Sequence, residues 1–140
     1  MIDHFTLTVP DVAAARAFFE HALAPLGYSV QMEYEQFVGF GAKGKPSFWI
    51  KPGPMPQSPM HIAFSASDRP RVDAFYAAAL AAGGRDDGPP GLRADYHPHY
   101  YAAFVKDREG NNIEVVCYAR AAAPRRRAKK RRATWIRRPA

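Results

Sequence analysis

Two histidines 57 positions apart, His4 and His61, and one acid embedded in an apolar run, Glu114 in Ile113-Glu114-Val115-Val116-Cys117, carry the clearest chemistry in this sequence. An unpaired carboxylate in such a strand is costly, so Glu114 is expected at a surface, in an ion pair or on a metal. If the three side chains converge, they form a two-histidine, one-carboxylate set with open coordination positions. That set suits a divalent ion that polarises a substrate oxygen. A second cluster runs from Leu92 to Tyr101. There Arg93 could hold an anionic substrate, Tyr96 and His99 could line a cavity mouth, and His97 or Tyr100 could act as acid or base. His97 or His99 could also replace a metal ligand. The plain alternative for this cluster is a solvated loop, with Phe48, Trp49, Tyr100 and Tyr101 as cavity wall or core.

The elements that must position these residues come in two copies. Shifting the sequence by 57 positions aligns His4–Gly27 with His61–Gly84 without a gap, with eight of 24 pairs identical, among them His4/His61, Asp11/Asp68, Phe18/Phe75 and Gly27/Gly84. Each copy opens with alternation. Phe5, Leu7 and Val9 share one face and His4, Thr6 and Thr8 the other, a strand with one apolar side. Ile62 and Phe64 repeat the parity against His61, Ala63 and Ser65. Asp11 and Asp68 stand at helix N-caps. Val72, Phe75, Tyr76, Ala79 and Leu80 form a core-facing stripe, and Gly27 and Gly83-Gly84 end the helices. Strands are expected at Tyr28–Tyr34, Phe37–Phe40 and Ser47–Lys51, then at Tyr100–Lys106 and Ile113–Tyr118. Gly88–Pro98 is a strand or a loop. The unit is β-α-β-β-β, used twice, over about 1–52 and 60–118, with helices on the apolar faces and a concave polar face opposite. Continuing the alignment with insertions sets Phe40 on Phe104 and Trp49 on Glu114, so His4, Trp49, His61 and Glu114 become equivalent pairs. His21 is expected at the surface. Cys117, opposite in parity to Glu114, is expected as a buried, inert thiol.

Charge is unevenly spread. The 140 residues carry a net +7, but ten of the 20 bases and none of the 13 acids lie in Arg120–Ala140. The first 119 residues therefore hold ten bases against 13 acids, a net of −3, which disfavours a basic nucleic-acid-binding body. The 120–140 tail is expected to be disordered, with loose polyanion binding, aided by stacking of Trp135, as its sharper reading. A lone cysteine excludes an internal disulfide framework and fits a reducing compartment. No apolar run reaches the roughly 18 residues that a membrane span needs, and Asp3 and His4 interrupt any signal-peptide pattern. A cytoplasmic protein is expected.

Three stretches carry a resemblance: Asp3-His4-Phe5-Thr6-Leu7-Thr8-Val9, Met60-His61-Ile62-Ala63-Phe64, and Phe104-Val105-Lys106-Asp107-Arg108-Glu109-Gly110-Asn111-Asn112-Ile113-Glu114. The chain resembles the vicinal oxygen chelate superfamily, which includes glyoxalase I, bleomycin-resistance proteins and extradiol dioxygenases, over residues 1–118. The last stretch is similar to the family's Phe-x-x-Asp-Pro-x-Gly-Asn-x-Ile-Glu signature, with Arg108 in place of proline. The resemblance implies an α+β domain at 1–119 of two βαβββ modules, and a homodimer. It also implies one divalent ion (Fe, Mn, Zn, Ni or Co) on His4, His61 and Glu114, and a small substrate chelating through neighbouring oxygens. Glyoxalase I supplies a fourth, glutamate ligand where this chain has Trp49, which offers only an N–H donor. A glutathione-dependent glyoxalase I is thereby disfavoured, whereas three-ligand dioxygenases and fosfomycin-resistance thiol transferases stay compatible. A metal-free small-molecule binder of the bleomycin-resistance type is the alternative.

Overall fold

A computed structural model describes residues 2–55 and 58–120. The basic stretch from residue 121 onward, Trp135 included, lies outside the described residues.

The first module runs β1 (Phe5–Val9), α1 (Val12–Leu23), a single 3-10 turn (Ala24–Leu26), β2 (Ser29–Tyr34), β3 (Phe37–Ala42) and β4 (Lys45–Pro52). The second runs β5 (His61–Ser65), α2 (Arg69–Ala81), β6 (Arg85–Leu92), β7 (Tyr101–Lys106) and β8 (Asn112–Cys117). Each forms a four-stranded sheet, in the orders β1-β4-β3-β2 and β5-β8-β7-β6. The first and last strand of each module pair in parallel and the others antiparallel. This is the twice-used βαβββ unit that the duplicated pattern predicts.

Local chemistry accounts for the boundaries. The Asp11 and Asp68 carboxylates accept hydrogen bonds from the Ala14 and Arg71 amides at 2.9 and 3.1 Å, capping the two helices. Two segments extend further than their composition suggests. The break expected at Gly41–Pro46 shrinks to a two-residue turn, Lys43-Gly44, with φ of +54° and +77°, the left-handed pair that suits a tight hairpin. Gly88–Pro98 divides. Its first part joins β6 despite Pro89 and Pro90, because β6 is an edge strand paired only with β7 and bulged around Gly88. The remainder, with Arg93–Tyr100, forms the connection to β7.

One core serves both modules. Phe19, Phe40, Phe48, Val72, Phe75, Val105, Ile113 and Val115 are all buried in it. Phe48 makes edge contacts with Phe19 at 4.8 Å and Phe64 at 5.4 Å, joining the first sheet to the second. The helices α1 and α2 pack on one another. Val72, Phe75 and Ala79 of the predicted stripe are buried, with Tyr76 and Leu80 packed beside them. Cys117 is a free, buried thiol in this core and His21 is exposed, as their parity and helix position suggest.

Candidate functional site

The second module gathers the densest chemistry. On β5 and β8, Ile62, Phe64, Ile113, Val115 and Cys117 face the core, so His61, Ala63 and Glu114 share the opposite face. Register is held by the motif before β8. The buried Asp107 carboxylate accepts from the Asn111 backbone and side-chain amides, both at 2.8 Å. Asn111 Oδ1 in turn accepts from the Met60 amide at 2.9 Å, and the Asn112 amide donates to the Met60 carbonyl at 2.8 Å. This clasp ties the start of β5 to β8 and brings His61 beside Glu114. Burial pushes the Asp107 carboxyl above its ordinary range, and the Asn111 hydrogen bonds oppose that rise.

Glu114 is 1% exposed, and both its oxygens are engaged. His61 Nε2 donates to Oε2 at 2.8 Å, and the Tyr100 hydroxyl donates to Oε1 at 2.5 Å. Burial raises the Tyr100 phenol well above the ordinary tyrosine value, and the Glu114 carboxylate reinforces this. Tyr100 is therefore a proton-bearing donor at neutral pH. Its ring meets those of Tyr96 and Tyr118 edge-on at 5.3 and 5.4 Å. His97 stands next along this wall, 5.4 Å from Tyr118 and 5.8 Å from His99, with its Nδ1 accepting from the His99 amide. Arg93 lies with its guanidinium carbon 5.5 Å from the Phe104 ring centre, and the Phe104 ring is 6.4 Å from that of His61. Of the seven residues along this wall, Tyr100 hydrogen-bonds to the His61–Glu114 pair and Phe104 lies beside it. Phe104 and Tyr118 were not singled out from the sequence; the parity of Phe104 with Glu114 is the signal that locates it.

The first module holds His4 and Trp49 elsewhere. They line an open concavity of about 390 Å³ with Thr6, Met32, Tyr34 and Phe37. His4 Nδ1 donates to Asp3 at 3.1 Å, and Asp3 accepts from Lys45 at 2.9 Å, which holds its carboxyl below the usual aspartate range. Trp49 pairs with Thr6 as Glu114 pairs with Ala63, so the two are register equivalents. Phe104 opposes Glu114 where Gly39 opposes Trp49, so Gly39, not Phe40, is its counterpart.

The expectation that His4, His61 and Glu114 meet in one cavity is not met within a single chain. His61 lines a different cleft, of about 570 Å³, with Asp3, Phe5 and Tyr28, and among the described residues no three His, Cys, Asp or Glu side chains lie close enough to share an ion. The reason is the shared core. Both sheets turn their apolar faces to it, which leaves the two polar faces apart.

The family model for the glyoxalase/bleomycin resistance protein/dioxygenase superfamily matches residues 1–115. No curated protein matches the chain. Among solved structures, a glyoxalase/bleomycin resistance protein from Albidiferax ferrireducens is similar with a TM-score of 0.68 at 24% identity, covering 82% of this chain and 97% of that one. A possible glyoxalase from Bacillus cereus gives 0.62 at 27% identity, covering 84% and 98%. A mutant of a fosfomycin resistance protein from Listeria monocytogenes, complexed with Mn(II) and dihydroxypropylphosphonic acid, gives 0.63 at 20% identity, covering 83% and 88%. Two βαβββ sheets over one core and a match across most of the chain lead to one conclusion: the protein belongs to the glyoxalase/bleomycin resistance protein/dioxygenase superfamily.

Proposed function

We propose that the protein is a metal-dependent enzyme acting on a small substrate that binds through neighbouring oxygens, and that its site is completed between two copies of the chain. The observation that carries this reading is the buried Glu114 carboxylate in contact with a half-exposed imidazole, His61, on a polar sheet face. An apolar wall would be the ordinary content of that position; a carboxylate there needs a partner. The donor set fits a divalent ion in part. One chain offers a nitrogen and an oxygen donor side by side, and the missing third donor is the pseudo-equivalent His4, which lines an open concavity. A second copy that sets its first module against the second module of its neighbour would bring His4 to His61 and Glu114. Met32 and Tyr34, both more than half exposed in that concavity, would then be covered. A divalent ion held there would polarise a substrate oxygen and neutralise developing negative charge.

The chain's own residues have separate tasks. Tyr100 holds Glu114 in place through its hydroxyl, leaving the His61 side of the carboxylate toward the site. Tyr96, His97 and His99 stand along the aromatic wall that leads to Tyr100, with His97 as the proton carrier. Trp49 supplies a flat apolar wall for the substrate from the first module. The single reduced thiol agrees with a cytoplasmic setting.

Mixing variants tests the composite site. In a symmetric dimer, His4→Ala and His61→Ala each damage both sites, but a hybrid of the two keeps one site intact. Elemental analysis should find near-stoichiometric metal in the wild type, little in either variant, and partial recovery after the two are unfolded and refolded together. Absence of metal in the wild type, with no metal-induced rise in melting temperature, would leave the second reading: a metal-free small-molecule binder using the aromatic concavity of Trp49, Phe37 and Tyr34. Polyanion binding by the basic stretch is independent of both, and salt-insensitive behaviour of the full chain on a DNA column would exclude it.

A further inference from the structure

We infer that Arg93 is a preset anchor for an oxyanion, so that the substrate of the proposed site carries a carboxylate or phosphate group; this rests on the site reading given above. The sequence before it, Gly88-Pro89-Pro90-Gly91-Leu92-Arg93, builds a recess for one guanidinium. A Cβ on Gly91 would stand 2.7 Å from Arg93 Nη1, and one on Gly88 would stand 3.4 Å from Nη2 and 3.0 Å from Phe104 Cδ2. A side chain at Gly91 would displace the guanidinium from this position. Gly88 also has φ of +150°, a conformation that favours glycine. Within the recess Nη2 donates to the Pro89 carbonyl at 2.8 Å, and the guanidinium faces the Phe104 ring.

The side chain is not needed to shape its own loop. The Arg93 backbone does that, its amide donating to the Tyr100 carbonyl at 2.7 Å and its carbonyl accepting from the Tyr96 and His97 amides. Any residue could supply those bonds. Among the described residues no carboxylate lies within salt-bridge distance of the guanidinium, although it is half-buried. Guanidinium has five N–H donors in a rigid fork that matches carboxylate and phosphate geometry, and one donor is engaged here. Phe104, the ring it faces, opposes Glu114 in register and neighbours His61. The positive group therefore sits beside the site rather than on a remote surface. Held in one place and without a counter-charge, it complements an anionic group on a molecule whose other oxygens reach the His61–Glu114 side.

Mandelate and its uncharged counterpart mandelamide, titrated by calorimetry into Mn(II)-supplemented full-length protein, test this. Inorganic phosphate serves as a third probe. The wild type should bind mandelate at least about tenfold more tightly than the amide, the scale of one charge-assisted pair, and phosphate should compete. Arg93→Gln should erase that preference, and Arg93→Lys should retain part of it. Gly91→Ala, which keeps the charge but intrudes on the recess, should weaken mandelate and leave mandelamide unchanged. Equal binding of the two probes by the wild type, or a preference that survives Arg93→Gln, overturns the inference. Metal content of the same samples separates the two readings. Metal without anion preference sinks only the anchor, and anion preference without metal sinks only the metalloenzyme.

Discussion

The two modules are built on one plan and equipped differently. In the first, β2 and β3 are joined by two residues, Glu35-Gln36; in the second, β6 and β7 are joined by eight, Arg93–Tyr100. The short turn leaves His4 and Trp49 in an open concavity. The long connection folds Tyr100 onto Glu114 and lowers its exposure to 1%. A second exchange accompanies the first. Trp49 lies against Gly39, whose Cβ would stand 2.8 Å from the indole, whereas the smaller Glu114 faces the bulky Phe104. Large-over-small in one module and small-beside-large in the other preserve the sheet while changing the chemistry. One duplicated fold thus yields an apolar wall and a polar half-site, and the difference lies in a loop and a pair of facing residues.

Breaking what the modules share should have the largest effect. Phe48→Ala removes the ring that touches Phe19, Phe40 and Phe64, at a cost of about 3–5 kcal/mol. Urea unfolding should remain a single transition at a lower midpoint, because the core is common. Two separate transitions would show that the modules are independent. Asn111→Ala should divide the modules instead. It frees the Met60 amide and strips Asp107 of the side-chain half of its Asn111 bonds, the backbone one being kept, for about 1–3 kcal/mol. Hydrogen exchange should rise along β5 and β8 while β1 and β4 stay protected; uniform acceleration would contradict the clasp. The smallest change is Tyr100→Phe, which removes one hydroxyl from Glu114 at about 1–2 kcal/mol. On the metalloenzyme reading it should also weaken metal retention by roughly 10- to 100-fold, as loss of a ligand's orienting partner does. A tyrosine of the first module, exposed in the other concavity, gives the control: Tyr34→Phe should alter neither quantity.

Much of this architecture is legible in the residues themselves. The 57-residue offset, the parity of His4 with His61 and the capping acids Asp11 and Asp68 all report local geometry, and local geometry follows from side-chain period and backbone hydrogen bonding. The pairing of Trp49 with Glu114 also survives, because both stand opposite the same position of the preceding parallel strand. The edge strand through Gly88-Pro89-Pro90-Gly91 is less readable. Its prolines lower strand propensity, and only a place at the sheet edge makes them harmless.

What residue order alone determined, then, is two copies of a strand–helix–three-strand unit, each with a polar face bearing a histidine at the same station. The placement of those faces was decided by tertiary packing. Phe48, Phe64, α1 and α2 come together from distant parts of the chain, and no periodicity records which way a completed module will turn. By burying both apolar faces in one core, that packing put His4 and His61 in separate cavities, with Glu114 buried behind His61. The same folding laid a long loop over one carboxylate and left the opposite concavity open.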